Sequence, residues 1–414
     1  MKMAFHSENH TAVVTCLLLS ALVAAWAADA SDGVSSGHPG AGIELKTRNE
    51  SVRNEVRRAI DKGLEWFERN QDTNGWWSSA EYPAITALGL TAFQLRPGAR
   101  EQPTEPPSVR RGYAFVLSCV RPDGGIYRKE LPSYNTSISL VAIVAKGRPE
   151  HKRIILNARR FIAGLQAPSG GSGTNANPFE GGIGYGRADK NPDLSNTSLA
   201  LEALALSREY LEAEYLHDKS PKDTEVADMA DLDWKAAVRF IQSCQNLSSY
   251  NSQPWVSDDP AFKGGFVYAP GRSMAGETNL PSGRVALRSY GSMSYAGLLS
   301  YVYAELKRDD PRVTAVRDWL ASNFTLEENP GMGPQGLFYY YHMMAKALMA
   351  YGSDSLETPD GHAIKWREAL ALKLINLQQP DGHWVNANGR WFEKDPALVT
   401  AYSLLALDIA YNGL

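Results

Sequence analysis

Two residues have side chains and settings suited to chemistry: Asp193 in PDLSNTSLALEAL, residues 192–204, and His342 in YYYHMMAKAL. A carboxyl just ahead of an apolar helix can deliver a proton to a buried substrate, and an imidazole can give or take one near neutral pH. Each also has a plain structural alternative. Asp193, Ser195 and Asn196 are all good helix N-cap residues, and His342 can hydrogen-bond within the protein interior. Asp189, Glu277 and Asp395 stand in other loops, and two acids facing each other across a cleft would suit glycoside chemistry. The sequence leaves open which of these acids converge.

The elements that must position these groups repeat along the chain. AIDKGLEWFERNQDTNGWW reads as an amphipathic helix stopped by Asn-Gly, and YPAITALGLTAFQL as a second helix, apolar nearly all round. Five later segments follow the same template, with turn glycines at Gly75, Gly124, Gly182, Gly265, Gly336 and Gly382. Gln71, Gln166, Gln245 and Gln378 hold one position near the end of the outer helix, where a side-chain amide can tie loose carbonyls to the next unit. Thr86, Thr136, Thr197, Ser294 and Thr400 align on the inner helices, with Tyr341 in that place in the fifth unit. Six helix pairs can close on themselves, which hides the apolar ends an open stack would expose. The expected fold is therefore all-α, an (α/α)6 toroid forming one domain over residues 51–414, with an open superhelical solenoid as the alternative. Insertions fall at about 211–232 and 246–289.

At 414 residues and 43% hydrophobic content the chain can bury a large core. A net charge of -4 without a long basic run excludes a phosphate-tracking surface, so no nucleic-acid partner is expected. Residues 1–27 read as an export signal, with an apolar run and Ala25-x-Ala27 before the cleavage point; an uncleaved anchor is the alternative. Residues 28–50 read as a flexible Gly/Ser/Ala-rich leader. The processed chain is expected to be periplasmic or extracellular, with no stable membrane span. Cys119 and Cys244 occupy the same position in units that are not neighbours, which predicts two buried thiols rather than a disulfide. The sequence has no Gly-rich phosphate loop, nucleophile elbow, His-Glu-x-x-His helix or Cys-Gly-Glu-Gln thioester, so no cofactor is indicated.

QDTNGWW and QQPDGHW each place Gly four residues and Trp six residues after Gln. This pattern on paired helices resembles the repeats of squalene-hopene cyclases, oxidosqualene cyclases and protein prenyltransferase β-subunits, over residues 55 to 412. In the cyclases the resemblance implies an Asp-x-Asp-Asp-Thr acid at the start of an inner helix. The run here is Asp193-Leu194-Ser195-Asn196-Thr197, with Ser195 in the place of the proton donor. In the prenyltransferases it implies zinc held by Asp-x-Cys and a His. Tyr290 and Ser292 replace the first pair and only His342 matches, so no metal site is expected.

Aromatic residues gather at the inner-helix entrances and turns. Tyr134, Tyr290, Tyr339, Tyr341 and Trp384 are the candidates to line a cavity for an apolar isoprenoid or lipid. Their ring faces could also stabilise a cation, by about 0.5–2 kcal/mol each. The functional expectation is an exported cyclase-like or prenyltransferase-like protein that acts on or holds such a ligand, with Asp193 or His342 as the catalytic candidates. A non-catalytic toroid binding a ligand or a protein partner is the alternative, and a carbohydrate-active enzyme the third reading.

Overall fold

The computed structural model describes residues 49–99, 104–168, 177–186, 191–217 and 230–414. The expected signal 1–27, leader residues 28–48, Asp189 and residues 218–229 of the first insertion lie outside them. The first helix begins one residue before the expected boundary, because Asn49 accepts the Val52 N–H and caps a helix starting at Glu50.

Among the described residues the α-helices come in outer–inner pairs. These are α1 (Glu50–Arg69) with α2 (Pro83–Leu95), α3 (Pro107–Ser118) with α4 (Pro132–Lys146), and α5 (Lys152–Ala163) with α6 (Leu194–His217). They continue as α7 (Trp234–Ser243) with α8 (Gly291–Tyr303), α9 (Pro311–Ser322) with α10 (Leu337–Tyr351), and α11 (Trp366–Leu377) with α12 (Pro396–Tyr411). Proline in the first turn starts α2, α3, α4, α9 and α12, where its missing N–H costs nothing. The outer helix α1 buries Val52, Val56, Ile60, Gly63 and Phe67 along one stripe, whereas every residue of the inner α8 is buried.

Helix α2 packs on α4, α4 on α6, α6 on α8, α8 on α10, α10 on α12, and α12 back on α2. The ring is closed, and the last outer helix, α11, also meets the first, α1. The chain is an all-α (α/α)6 toroid rather than an open solenoid. Among the described residues two short hairpins decorate it: β1 (Glu277–Asn279) with β2 (Val285–Leu287) in the second insertion, and β3 (Leu356–Glu357) with β4 (Ala363–Ile364). No helix among the described residues is long and apolar enough to cross a membrane.

One junction recurs around the ring. Gln71 Nε2 donates to the carbonyls of Gly75 in its own turn and Ser108 in the next outer helix. Gln166 does the same to Gly181 and Asp233, and Gln245 to Gly264 and Arg312. Gln378 closes the circle on Gly382 and Ala59, at 2.9 Å each. The turn glycine lets two units touch: a Cβ on Gly75, Gly124, Gly181, Gly264 or Gly382 would stand 2.1–2.5 Å from a carbonyl oxygen of the next outer helix. All five have positive φ. The equivalents in the third and fourth units are thus Gly181 and Gly264, one residue before the expected Gly182 and Gly265. Gly336 differs, since it precedes α10 and packs against the Trp391 ring.

The aligned hydroxyls complete the junction. Thr86, Thr136, Thr197, Ser294 and Thr400 accept the backbone N–H of Trp77, Ile126, Ile183, Phe266 and Trp384, at 2.9–3.1 Å. Each of those acceptors sits on an inner helix and each donor two residues after the turn glycine. A turn amide that would otherwise be buried without a partner is satisfied this way. Cys119 and Cys244 are buried free thiols, and burial pushes both pKa values up.

Candidate functional site

The N-terminal ends of the six inner helices surround a cavity of about 870 Å3. Each supplies wall: Tyr82 and Ile85 from α2 and its entry, Tyr134 from α4, Ser195 from α6, Met293 from α8, Tyr339 from α10 and Tyr402 from α12. The second insertion adds Tyr268, Arg272 and Met274, so residues 246–289 build part of the rim. Trp391 and Phe392 stand at the mouth, 42% and 59% exposed, on a turn that gives both a positive φ of 54° and 65°. Left-handed backbone is costly for such residues. Arg390 over the Trp391 ring at 4.5 Å and Tyr82 against Phe392 at 5.6 Å hold them there.

Hydroxyl pairs span the interior between helices that are not neighbours in the ring. Tyr134 Oη of α4 meets Tyr402 Oη of α12 at 3.3 Å, and Ser195 Oγ of α6 meets Tyr339 Oη of α10 at 3.1 Å. Deeper, Lys346 of α10 pairs with Glu202 of α6 in a buried ion pair. Burial pushes the phenol of Tyr134 up to about 12 and raises those of Tyr339, Tyr290 and Tyr402 as well, so these phenols are neutral at ordinary pH.

Asp193 lies on this wall, 2% exposed, as the residue before α6. Its Oδ1 accepts the Asn196 N–H at 2.8 Å and its Oδ2 the Asn196 side-chain amide at 2.7 Å, so it is a helix N-cap. The Tyr268 phenol beside it is raised by burial and by the Asp193 carboxylate. Tyr134, Tyr290 and Tyr339 are also on the wall. The other sequence candidates are elsewhere. His342 is one layer behind, stacked on Tyr402 with ring centroids 5.2 Å apart. Its Nδ1 has no partner, and burial holds its pKa well below the usual range, with Lys346 adding to the effect.

Tyr341 and Trp384 do not line the cavity and are corrected to structural roles. Tyr341 is fully buried and donates its hydroxyl to the Leu326 carbonyl. Trp384 is fully buried and donates Nε1 to the Leu374 carbonyl at 2.8 Å, as Trp77 does to Phe67 at 2.7 Å. A Trp two residues after the turn glycine therefore seals its own helix pair. Asp395 caps α12 through the Ala397 and Leu398 N–H groups, and Glu277 lies in β1; neither is on the wall.

Sequence reasoning missed Glu393 and Tyr402. Glu393 is a buried wall residue whose Oε1 accepts the Tyr339 N–H at 2.8 Å and whose Oε2 accepts the Asn386 amide at 2.6 Å. Burial raises its pKa against the pull of those donors and of the Phe338 and Leu337 amides. Its position before α12, in RWFEKDP, was the available signal.

These features define a class: a closed six-unit α/α toroid with an aromatic cup at the N-terminal ends of its inner helices. Among solved structures it is similar to the type II terpene cyclase MstE from Scytonema. The apo form gives 13% identity and a TM-score of 0.49, over 87% of this chain and 99% of that one. The complex with geranylgeranyl dihydroxybenzoate gives 12% and 0.47, over 88% and 100%. A protein from Actinoplanes gives 13% and 0.47, over 86% and 99%. The likeness is one of architecture, and the toroid itself rests on the chain's own ring of contacts. No family model and no curated protein matches the sequence.

Proposed function

We propose that the chain holds an elongated apolar ligand, an isoprenoid or lipid, in this cup, and does so as an exported protein. The observation that carries the reading is a wall of neutral phenols whose carboxylates are already engaged: Asp193 caps α6, and Glu393 holds the start of α10. Protonating an alkene calls for a strong acid, and burial makes Glu393 a weaker one. Ser195 stands where the resemblance places the donor. The cavity size falls within the range of about 300–1,000 Å3 usual for small-molecule sites. Export rests on the N-terminal apolar run and its Ala-x-Ala end.

A catalytic reading is favoured by one feature, the protonatable Glu393 on the cavity wall. Incubation with squalene and with linear prenyl diphosphates, followed by extraction and mass spectrometry, separates the two. Holding predicts recovery of unchanged lipid, with affinity in a homologous series rising about fourfold per added methylene until the cup is full. A cyclised product that vanishes in Glu393→Gln would replace holding by catalysis. A protein that retains no lipid would remove both readings.

A further inference from the structure

The two hydroxyl pairs on the wall set a proton count. A hydroxyl carries one proton and two lone pairs, so two hydroxyls facing each other share one hydrogen bond and leave one proton over. Tyr134 with Tyr402 and Ser195 with Tyr339 are two such pairs, and among the described residues no other hydrogen bond is made by any of these four oxygens. His342 cannot take the spare proton of Tyr402, because its ring lies nearly parallel to the tyrosine, 21° from coplanar, and its lone pair points along its own plane. The Tyr339 and Tyr402 rings are 5.8 Å apart, so the two pairs form one patch.

We propose that this patch binds an acceptor oxygen on the ligand, which makes the occupant a neutral oxygenated lipid or isoprenoid, such as an alcohol, ketone or ester, rather than a plain hydrocarbon. The inference rests on the apolar-ligand reading above and specifies its substrate class. The four residues of the patch are uncharged, and the cation among the cavity-lining residues, Arg272, sits at the rim over the Tyr268 ring, so a carboxylate or phosphate on the patch would be desolvated without a counter-ion from it. The phenols stay protonated throughout the physiological range, burial having raised them, and so remain donors. A hydrocarbon would leave both spare protons buried and unmade, which is the costly side of hydrogen bonding.

The test compares chain-matched probes, hexadecane, hexadecan-2-one and hexadecanoate, by displacement of a fluorescent lipid from the full chain. The ketone is expected to bind at least about tenfold tighter than the alkane. Removing one member of a pair leaves the other's proton free, so Tyr134→Phe or Ser195→Ala alone keeps the preference. Removing a whole pair, Tyr134→Phe with Tyr402→Phe or Ser195→Ala with Tyr339→Phe, cuts it about fivefold in the folded variant, chiefly because the alkane no longer strands that pair's proton and binds tighter. Equal binding of ketone and alkane overturns this inference and leaves the apolar-ligand reading intact. So does a preference that survives both paired variants, or tighter binding of hexadecanoate. Failure of every probe to bind overturns both.

Discussion

Replacing Gln378 by Ala removes two hydrogen bonds, the donation to Ala59, 319 positions away across the seam, and the one to Gly382 within the turn. A neutral hydrogen bond contributes about 1 kcal/mol net, so the loss is about 2 kcal/mol. For a chain of this size that corresponds to a melting shift of about 2–3 °C. Gln71 makes the same two donations at an internal junction and also accepts from Arg111 Nη2 at 2.7 Å, so Gln71→Ala should cost slightly more. The comparison is informative because it sets the seam against an ordinary joint. Denaturant melts give the two costs, and amide hydrogen exchange along α1 shows where protection is lost, with Gln378→Ala opening the stretch around Ala59 to Gly63. If Gln71→Ala is destabilised while Gln378→Ala melts and exchanges like the parent, the seam carries no load. The closed ring would then be two ends in contact, and the argument from the repeated junction would fail.

Gly382→Ala should destabilise the protein by about 3 kcal/mol or more, because a Cβ at a φ of +107° would stand 2.4 Å from the Lys62 carbonyl oxygen. Gly75→Ala, at 2.4 Å from the Arg111 carbonyl, should cost a similar amount in the same melts, and a neutral result at either would contradict the close approach. Glu209 has a buried Oε2 without a partner, and burial raises its carboxyl from 4.5 to about 8. The folded state then binds more protons than the unfolded between those values, so stability falls as pH rises from 4.5 towards 8. Glu209→Gln should flatten that part of the profile in denaturant melts, and an unchanged slope would show that the group ionises freely in the fold. Trp384→Phe should lose about 1 kcal/mol through its Leu374 hydrogen bond, yet retain lipid like the parent. Weakened lipid binding would return Trp384 to the cavity wall.

The ring was legible because each unit makes the same contact with the same residue types: an amide that reaches two carbonyls, a glycine that lets a carbonyl pass, and a hydroxyl that accepts the turn N–H. The glycine register slipped by one at 181–182 and 264–265, where two glycines stand together and only φ and the approaching carbonyl tell them apart. The cavity was half legible. Tyr134, Tyr290 and Tyr339 lie near inner-helix starts, where the ring turns them inward, but Trp384 also sits by a turn and faces its own helix pair. Tyr402 was hidden in the apolar run of α12, and Glu393 in a loop whose direction depends on the left-handed backbone at Trp391 and Phe392. That conformation belongs to residues that rarely adopt it, so no local propensity announced it.

The cavity has an aromatic entrance, and deeper in, the Lys346–Glu202 bridge spans the interior from α10 to α6. On the proposed reading a guest chain would be sheathed from one tip and would back out along the route by which it went in. Departure would then require withdrawing the whole sheathed length against its lost apolar contact, so residence time would grow with chain length far faster than entry time. A guest longer than the cup would leave its trailing end outside, beside Trp391 and Phe392.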